Sequence, residues 1–415
     1  MLVTMVVLAN VGLDLSVIGN YESLRYLGYA LTYFWINGLS NAYLRIRQQT
    51  SDPDRWTVMY LLLALIGGLL VFALFNTALP LLGSAFLNTS TLDFGTAFAT
   101  FLLGQMAASV VEQEAVADKA SKRLLAFSTS SHILQLLLFL VPLLIGWPFY
   151  LAMWGLAASA VYRLGWAFLR YMKTKDVRLP SKQERDVFWK SASGLSIYGL
   201  STLGVLVVDH FLVTYQREDP QAAMAIWRYG AQELPLLLGI LGGVSATALT
   251  EMQEGAAVML GNLKRRSQKI NRVFLSLVIF ICATSAWWFP LVLTEKFYGA
   301  HVIFNTMLLV VPSRLIQTTP LMISRDMQGD MTKAVLVGTI INIVVSLALL
   351  PSFGLLGITI GTVIAYSLER LIYVVLLSRK HEMLSSYLYT KEWLVGTLLL
   401  LVVYFLSTDF QALAL

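Results

Sequence analysis

Apolar runs of about 20 residues, each long enough to cross roughly 30 Å of hydrocarbon as a helix, recur from the start of the chain to residue 408. Short polar connections separate them. The pattern predicts spans at 2 to 19, 24 to 44, 57 to 85, 93 to 113, 124 to 146, 149 to 170, 192 to 215, 222 to 249, 273 to 295, 302 to 324, 333 to 351, 354 to 378 and 392 to 408. The third and eighth carry paired glycines, Gly67-Gly68 and Gly242-Gly243, and each reads as one tilted or bent helix. No soluble domain fits between the spans. The expected fold is therefore an all-α integral membrane protein of about 12 to 13 transmembrane helices.

Composition agrees with this. Of 415 residues, 57% are hydrophobic and 13% charged, about half the charged share of a soluble domain, and the mean hydropathy is +0.69. Met1 leads straight into apolar residues with no basic stretch and no small-residue cleavage site, so a cleaved signal peptide is not expected. The short first span, with Asn10 and Asp14 inside it, points to a start upstream of this Met1. Cys282, alone in an apolar helix, reads as a small core residue.

The basic residues orient the spans. Of the 30 Lys and Arg, 23 fall in connections on one side, from Arg45, Arg47 and Arg55 to Arg379, Lys380 and Lys391. The other side carries Arg25, Arg217 and Lys296, and Arg163, Arg228, Arg314 and Arg370 lie within spans. The positive-inside rule places the N-terminus and the basic connections in the cytoplasm. That asymmetry accounts for the net charge of +6 without a nucleic-acid partner.

The longest basic connection follows six spans and precedes six more. The expected organisation is a six-helix lobe over 1–172, a linker over 173–190, a second six-helix lobe over 191–380, and an extra C-terminal helix over 381–415. Trp147-Pro148-Phe149 leading to Gly155-Leu156-Ala157-Ala158 is similar to Pro351-Ser352-Phe353 leading to Gly357-Ile358-Thr359-Ile360. Asp14 and Asp209 each precede an expected outside turn, at Gly19 to Glu22 and at Gln216 to Pro220. Two such units starting on the same side form parallel repeats about an axis along the membrane normal.

Several motifs carry a family resemblance: Ser196-Ile197-Tyr198 through Val207-Val208-Asp209-His210-Phe211-Leu212, then Ala225-Ile226-Trp227-Arg228-Tyr229-Gly230-Ala231 with Glu233-Leu234-Pro235, and Val311-Pro312-Ser313-Arg314. Ile341-Asn342-Ile343 and Gly354-Leu355-Leu356-Gly357-Ile358-Thr359-Ile360-Gly361-Thr362 follow. With these in order, the chain resembles the O-antigen type of oligosaccharide and polysaccharide flippases in the multidrug/oligosaccharidyl-lipid/polysaccharide (MOP) exporter superfamily. The resemblance covers about residues 2 to 380. It departs at Thr250, where many relatives have a proline, and at Gln232, where close relatives often carry a second basic residue. It implies two pseudo-symmetric six-helix lobes around a V-shaped cavity, MATE-like, moving an undecaprenyl-diphosphate-linked oligosaccharide to the outer leaflet of the bacterial inner membrane by alternating access.

Side-chain chemistry is compatible with that. An arginine near the bilayer centre costs about 2.5 to 3.5 kcal/mol on the lenient scale, so Arg228 should face a watery path or a partner. A guanidinium also suits a diphosphate, which it grips in a bidentate fork. Arg228, Arg314, Gln232, Tyr198 and Thr202 are the substrate or cavity candidates, with Gln232 expected one turn from Arg228 on the same face. A structural ion pair of Arg228 with Asp209 is the competing reading. Asp209, Asp14 and Glu233 are candidates for coupling a cation, H+ or Na+, or for pairing a buried charge. Arg163, Glu369 and Arg370 should snorkel to the cytoplasmic interface, and Asn342 should bond helix to helix.

No phosphate-binding loop, His-Glu-x-x-His pair or metal-spaced Cys/His set is present, so neither enzyme activity nor a cofactor or metal is expected. The energy would come from a gradient. A monomer, working beside glycan-assembly proteins, is the expected unit. The alternatives are a multidrug/cation antiporter of the same superfamily and, third, a membrane O-antigen polymerase or ligase, whose chemistry needs a larger outside loop than any here.

Overall fold

The computed structural model describes residues 2–47, 50, 52–78, 81, 94–171, 180–215, 219–251, 256–325, 327–380 and 383–408. Among them the chain is all-α with no strand, and seven helical segments, the interrupted one at Ala300–Ser324 included, are long and apolar enough to cross a membrane. This is a multi-pass membrane protein. Two compact units, residues 1–203 and 204–415, divide it.

The first unit contains α1 (Leu2–Asn10), α2 (Leu15–Tyr33), a π-helical segment (Phe34–Leu39), α3 (Ser40–Arg47), α4 (Pro53–Thr77), α5 (Gly95–Ala117), α6 (Ser121–Leu144) and α7 (Phe149–Tyr171). It also holds the first part of α8 (Lys182–Tyr215). The turn expected at Gly19 to Glu22 does not form, because those residues lie inside α2. Tyr21 stacks on Phe139 with ring centres 5.2 Å apart, and Glu22 is held at 2.8 Å by Arg25. Tyr21 and Glu22, two of the residues that suggested a turn, thus find partners within the unit. Arg25 belongs to the buried interior rather than to an outside connection.

Proline and aspartate start α4. Asp52 accepts from the Arg55 amide at 3.3 Å while Pro53 fills the first position, whose missing N–H costs nothing. Small residues then allow close helix crossings, the usual packing device where lipid supplies no hydrophobic drive between helices. A Cβ on Gly155 of α7 would collide with the Leu138 carbonyl of α6. In the second unit, a Cβ on Gly357 would lie 2.7 Å from the Leu349 carbonyl carbon. The two motifs compared in sequence therefore make the same kind of contact with the helix before them.

Of the expected linker, residues 173–179 lie outside the described residues, and from Lys182 the chain is already helical. Phe188 and Ala192 of α8 pack with Tyr43, Trp56 and Tyr60, which draws the start of α8 into the first unit. At the same end Arg47 and Arg123 each reach Asp118 at 2.7 Å, and Arg170 reaches Glu114 at 3.0 Å. Partial burial alone would raise the Asp118 carboxyl; hydrogen bonds from Arg47 and Arg123 hold it below its ordinary value.

The second unit continues with α9 (Pro220–Gly230), α10 (Pro235–Glu251), α11 (Ala256–Leu293), α12 (Ala300–Leu308), α13 (Val311–Leu315), α14 (Thr319–Ser324), α15 (Gln328–Phe353), α16 (Leu355–Ser378), α17 (Leu384–Tyr387) and α18 (Thr390–Ser407). Two expected single spans are broken. The one at 222 to 249 is interrupted at Ala231 to Leu234, and the one at 302 to 324 is divided into α12, α13 and α14. Pro235, Pro312 and Pro320 sit at the starts of the following pieces, where proline cannot continue a preceding hydrogen-bond ladder. Helix α18 packs along α11, with Gly396 against Leu275 and Arg272 bound to Glu392 at 2.7 Å.

Candidate functional site

Asp219 and Pro220 start α9 as Asp52 and Pro53 start α4, the Asp219 carboxylate accepting from the Ala222 amide at 2.9 Å. The helix runs only to Gly230. A Cβ on Gly230 would lie 2.6 Å from the Ala300 carbonyl oxygen, so this end of α9 is pressed against α12. Beyond it the backbone opens, and carbonyls left without helical partners need other donors. Gln232 supplies one, its Nε2 donating to the Arg228 carbonyl at 2.9 Å.

The break after α13 repeats the device. Gln317 Nε2 donates to the Arg314 carbonyl at 3.2 Å, and Ser245 donates to Gln317 Oε1 at 3.4 Å. In each break an arginine ends a helix and a glutamine three or four residues later turns back on its carbonyl. Gln232 therefore does not extend a helical face beside Arg228, as its spacing suggested; it closes the end of α9.

The two breaks meet through a charge pair. Arg314 Nε and Nη2 donate to the two Glu233 carboxylate oxygens at 3.0 and 2.7 Å, a bidentate fork. The Arg314 guanidinium also lies 4.0 Å from the centre of the Tyr366 ring. Glu233 thus serves as a charge partner to Arg314, which spends one expected cationic ligand on a fixed structural contact. Arg228, at the last turn of α9, is half-buried.

A second polar cluster joins α8, α15 and α16. Asp209, fully enclosed in α8, accepts from Asn342 Nδ2 at 2.6 Å and from Thr362 Oγ1 at 2.7 Å. Ser346 donates to Asn342 Oδ1 at 3.0 Å and lies 3.4 Å from the Ile358 carbonyl. Gly361 is what lets these groups converge: a Cβ there would strike Ser346 Oγ and lie 2.9 Å from Asn342 Oδ1. The pairing of Arg228 with Asp209 is not formed, because Asp209 spends both oxygens on Asn342 and Thr362. Asn342 bonds helix to helix as expected. Spacing gave no hint of Ser346 or Thr362; only the glycine between them marked a close approach.

The other candidates are dispersed. Asp14 is exposed in the turn between α1 and α2, an environment unlike that of Asp209. The side chains of Tyr198 and Thr202 lie outside the described residues, as does Thr250. Arg163 does not snorkel. It is 1% exposed, donates to Ser131 at 2.7 Å and Gln135 at 2.6 Å, and lies 5.2 Å from the Phe101 ring centre. Arg370 donates to Thr318 and Thr319 beside α14, and Glu369 is buried. Among the described residues no group of three or more His, Cys, Asp or Glu could hold a metal.

Comparison with known proteins places this geometry in a recognised fold. No family model and no curated protein matches the sequence. Among solved structures, the chain is similar to the lipid II flippase MurJ in an inward closed conformation, with TM-score 0.73 and 13% identity over 98% of this chain and 89% of that one. It is also similar to an inward-facing multidrug resistance MATE family transporter of the MOP superfamily, with TM-score 0.67 and 14% identity over 92% and 94% of the two chains. A MOP superfamily transporter from Pyrococcus furiosus, described as having a binding pocket of reversed polarity, matches at TM-score 0.61 and 14% identity over 93% and 92%. The fold is that of MOP-superfamily transporters.

Proposed function

We propose that the chain is a gradient-driven flippase that carries an undecaprenyl-diphosphate-linked oligosaccharide from the cytoplasmic to the outer leaflet of the bacterial inner membrane. The observation that carries this reading is the pair of interrupted membrane helices joined at their breaks by Glu233 and Arg314. Discontinuous helices at membrane depth are where transporters build their binding sites, since freed backbone groups and half-helix ends become available to a polar ligand. Here the N-terminal end of α10 opens on the break, with Arg228 at the end of α9 before it. A helix N-terminus and a guanidinium both favour an anion, which suits a diphosphate. The shared fold with a lipid II flippase supports the same substrate class.

Asp209 supplies the coupling site in this reading. The cluster holds five groups with oxygen to offer: one carboxylate, the Asn342 amide, which now turns its nitrogen to Asp209 and its oxygen to Ser346, the Ser346 and Thr362 hydroxyls and the Ile358 carbonyl. Hard cations take oxygen ligands, and a single carboxylate balances a monovalent ion or a proton rather than a divalent one. A cation bound there would replace the hydrogen bonds that now tie α8 to α15 and α16. The antiporter alternative needs a carboxylate for an organic cation; Glu233 and Glu22 are committed to arginines, which leaves Asp209 and Glu369 as its candidates.

The test is flipping in proteoliposomes of the purified chain with a polyprenyl-diphosphate-linked oligosaccharide, read as glycan exposed to an external lectin. Wild-type protein should flip without ATP and faster with an imposed Na+ or H+ gradient. Arg228→Ala should abolish flipping at normal membrane abundance, and Arg228→Lys should restore part of it, because a point charge lacks the fork. Full flipping by Arg228→Ala would overturn the assignment.

A further inference from the structure

The first unit contains its own cavity of about 250 Å3, bounded by α1, α2, α5, α6 and α7 and distant in sequence from every residue assigned above. Its wall joins buried side chains to the exposed Tyr29 and His132, so the cavity is open on one side. Tyr21, Tyr29 and Phe101 present aromatic rings, while Gln105, His132 and Gln135 present polar groups among them.

Those polar groups are only partly spent. His132 Nδ1 lies 2.7 Å from the Ser128 carbonyl, which can only accept; Nδ1 therefore donates there, and Nε2 is left to bond a ligand. Gln135 uses its amide oxygen on Arg163 Nη2, which leaves its two amide hydrogens to donate. Gln105 makes no hydrogen bond to the described residues, so its amide offers both donors and an acceptor. Both senses of hydrogen bond are thus available around flat apolar surfaces.

The charges on this wall narrow the ligand class. Arg25 lies on it, bound by both oxygens of Glu22 at 2.8 and 2.9 Å, and Arg163 stands behind Gln135 and Phe101. Among the described residues of the cavity wall no carboxylate stands free for an organic cation, since Glu22 is bound by Arg25, and the Arg163 guanidinium opposes one. An apolar molecule would cover the partly buried Gln105 and Gln135 amides without pairing them, at a cost of about 1–3 kcal/mol for each group it desolvates. A sugar ring meets every condition: hydroxyls that donate and accept, and apolar C–H faces that lie on aromatic rings. The volume is below the roughly 300–1,000 Å3 of sites for drug-sized ligands, which suits one ring rather than a chain.

We infer that the cavity of the first unit, lined by Tyr21, Tyr29, Gln105, His132 and Gln135, binds a single sugar ring of the transported glycan. This rests on the reading of the chain as a carrier of a lipid-linked glycan.

The full chain, purified in nanodiscs, would be titrated with glucose, galactose, N-acetylglucosamine and glucuronate as probes, and with tetraphenylphosphonium as an organic cation. Binding would be read by ligand-observed NMR. At least one sugar should bind with a Kd on the order of millimolar. Gln105→Leu and Tyr29→Ala should each weaken it about tenfold with the melting temperature unchanged. Tyr29 is half exposed, so its truncation leaves the core intact. The assignment is overturned if no sugar of the panel binds, if binding is unchanged in both variants, or if the cation binds and these variants remove it. Sugar binding that is lost in the variants, in a protein that flips no glycan, would sink the transporter reading and leave the cavity assignment standing. Flipping without any sugar binding would do the reverse.

Discussion

Arg314 and Glu233 sit in two helix breaks 81 residues apart, and each is the other's direct counter-charge. Losing one partner would leave the second in a low-dielectric setting with no compensation, which typically costs 3–5 kcal/mol, whereas replacing both with apolar residues of similar volume is often neutral. Each side chain keeps some water contact, 17% and 20% of its surface, so the loss should lie near the lower end, about 3 kcal/mol. Arg314→Met is expected to lower the melting temperature and membrane abundance, and adding Glu233→Met should recover most of both. If the single and double variants are equally unstable, the pair does not hold the breaks together. The contrast with Arg228 is then informative. A variant there should lose transport while keeping its fold, which separates a ligand-binding guanidinium from the structural one, Arg314, at the other break.

At the scale of elements, the crossing of α15 and α16 depends on Gly361. A methyl group at that position would strike Ser346 and press on Asn342, pushing the helices apart and drawing Asn342 and Thr362 away from Asp209. Gly361→Ala should therefore lower thermal stability and remove any stabilisation by Na+ or by acidification seen in the wild type. Gly239→Ala on α10, where nothing lies within 4 Å, should change neither. Thermal unfolding with and without NaCl decides it, and an unaffected Gly361→Ala would show that the cluster tolerates wider spacing. The same elements mark what could be read in advance. Hydropathy located most membrane helices, since a 20-residue apolar stretch has few other fates. It could not locate the breaks, because Ala231, Leu234 and Ile316 are as apolar as a continuous helix. Pro235, Pro312 and Pro320 were the local signal, and their meaning depended on a partner far along the chain. Asp209 was conspicuous as a carboxylate among valines, but Asn342 and Thr362 lie 133 and 153 residues away, and no periodicity relates them. Arg163 was misread for a related reason: its nearness to a helix end suggested snorkelling, while Ser131 and Gln135 on the facing helix gave it a place inside.

For the whole molecule, the arrangement across the bilayer follows from where the charges gather. In the first unit Arg47, Arg123 and Arg170 come together on Glu114 and Asp118, so the ends of α3, α5 and α7 and the start of α6 share one side. In the second unit Arg266 reaches Glu251, and Arg272 and Gln268 reach Glu392, which brings the end of α10, the Arg266 to Arg272 stretch of α11 and the start of α18 to a common side. These are the connections that the basic-residue count assigned to the cytoplasm. Moving Arg25 into the interior removes one of the three basic residues once counted on the opposite side, leaving Arg217 and Lys296 there and sharpening the asymmetry. The orientation is open to direct measurement. In a background with Cys282→Ser, a cysteine at the exposed Ser181 just before α8 should resist an impermeant thiol reagent applied to intact cells. One at the exposed Trp147, in the turn between α6 and α7, should react. Both should react once the membrane is permeabilised, which controls for local burial. Labelling of Ser181→Cys alone in intact cells would invert the protein in the membrane. The basic ends would then face outward, and an anionic lipid-linked glycan would no longer meet the carrier from the side on which its charges collect.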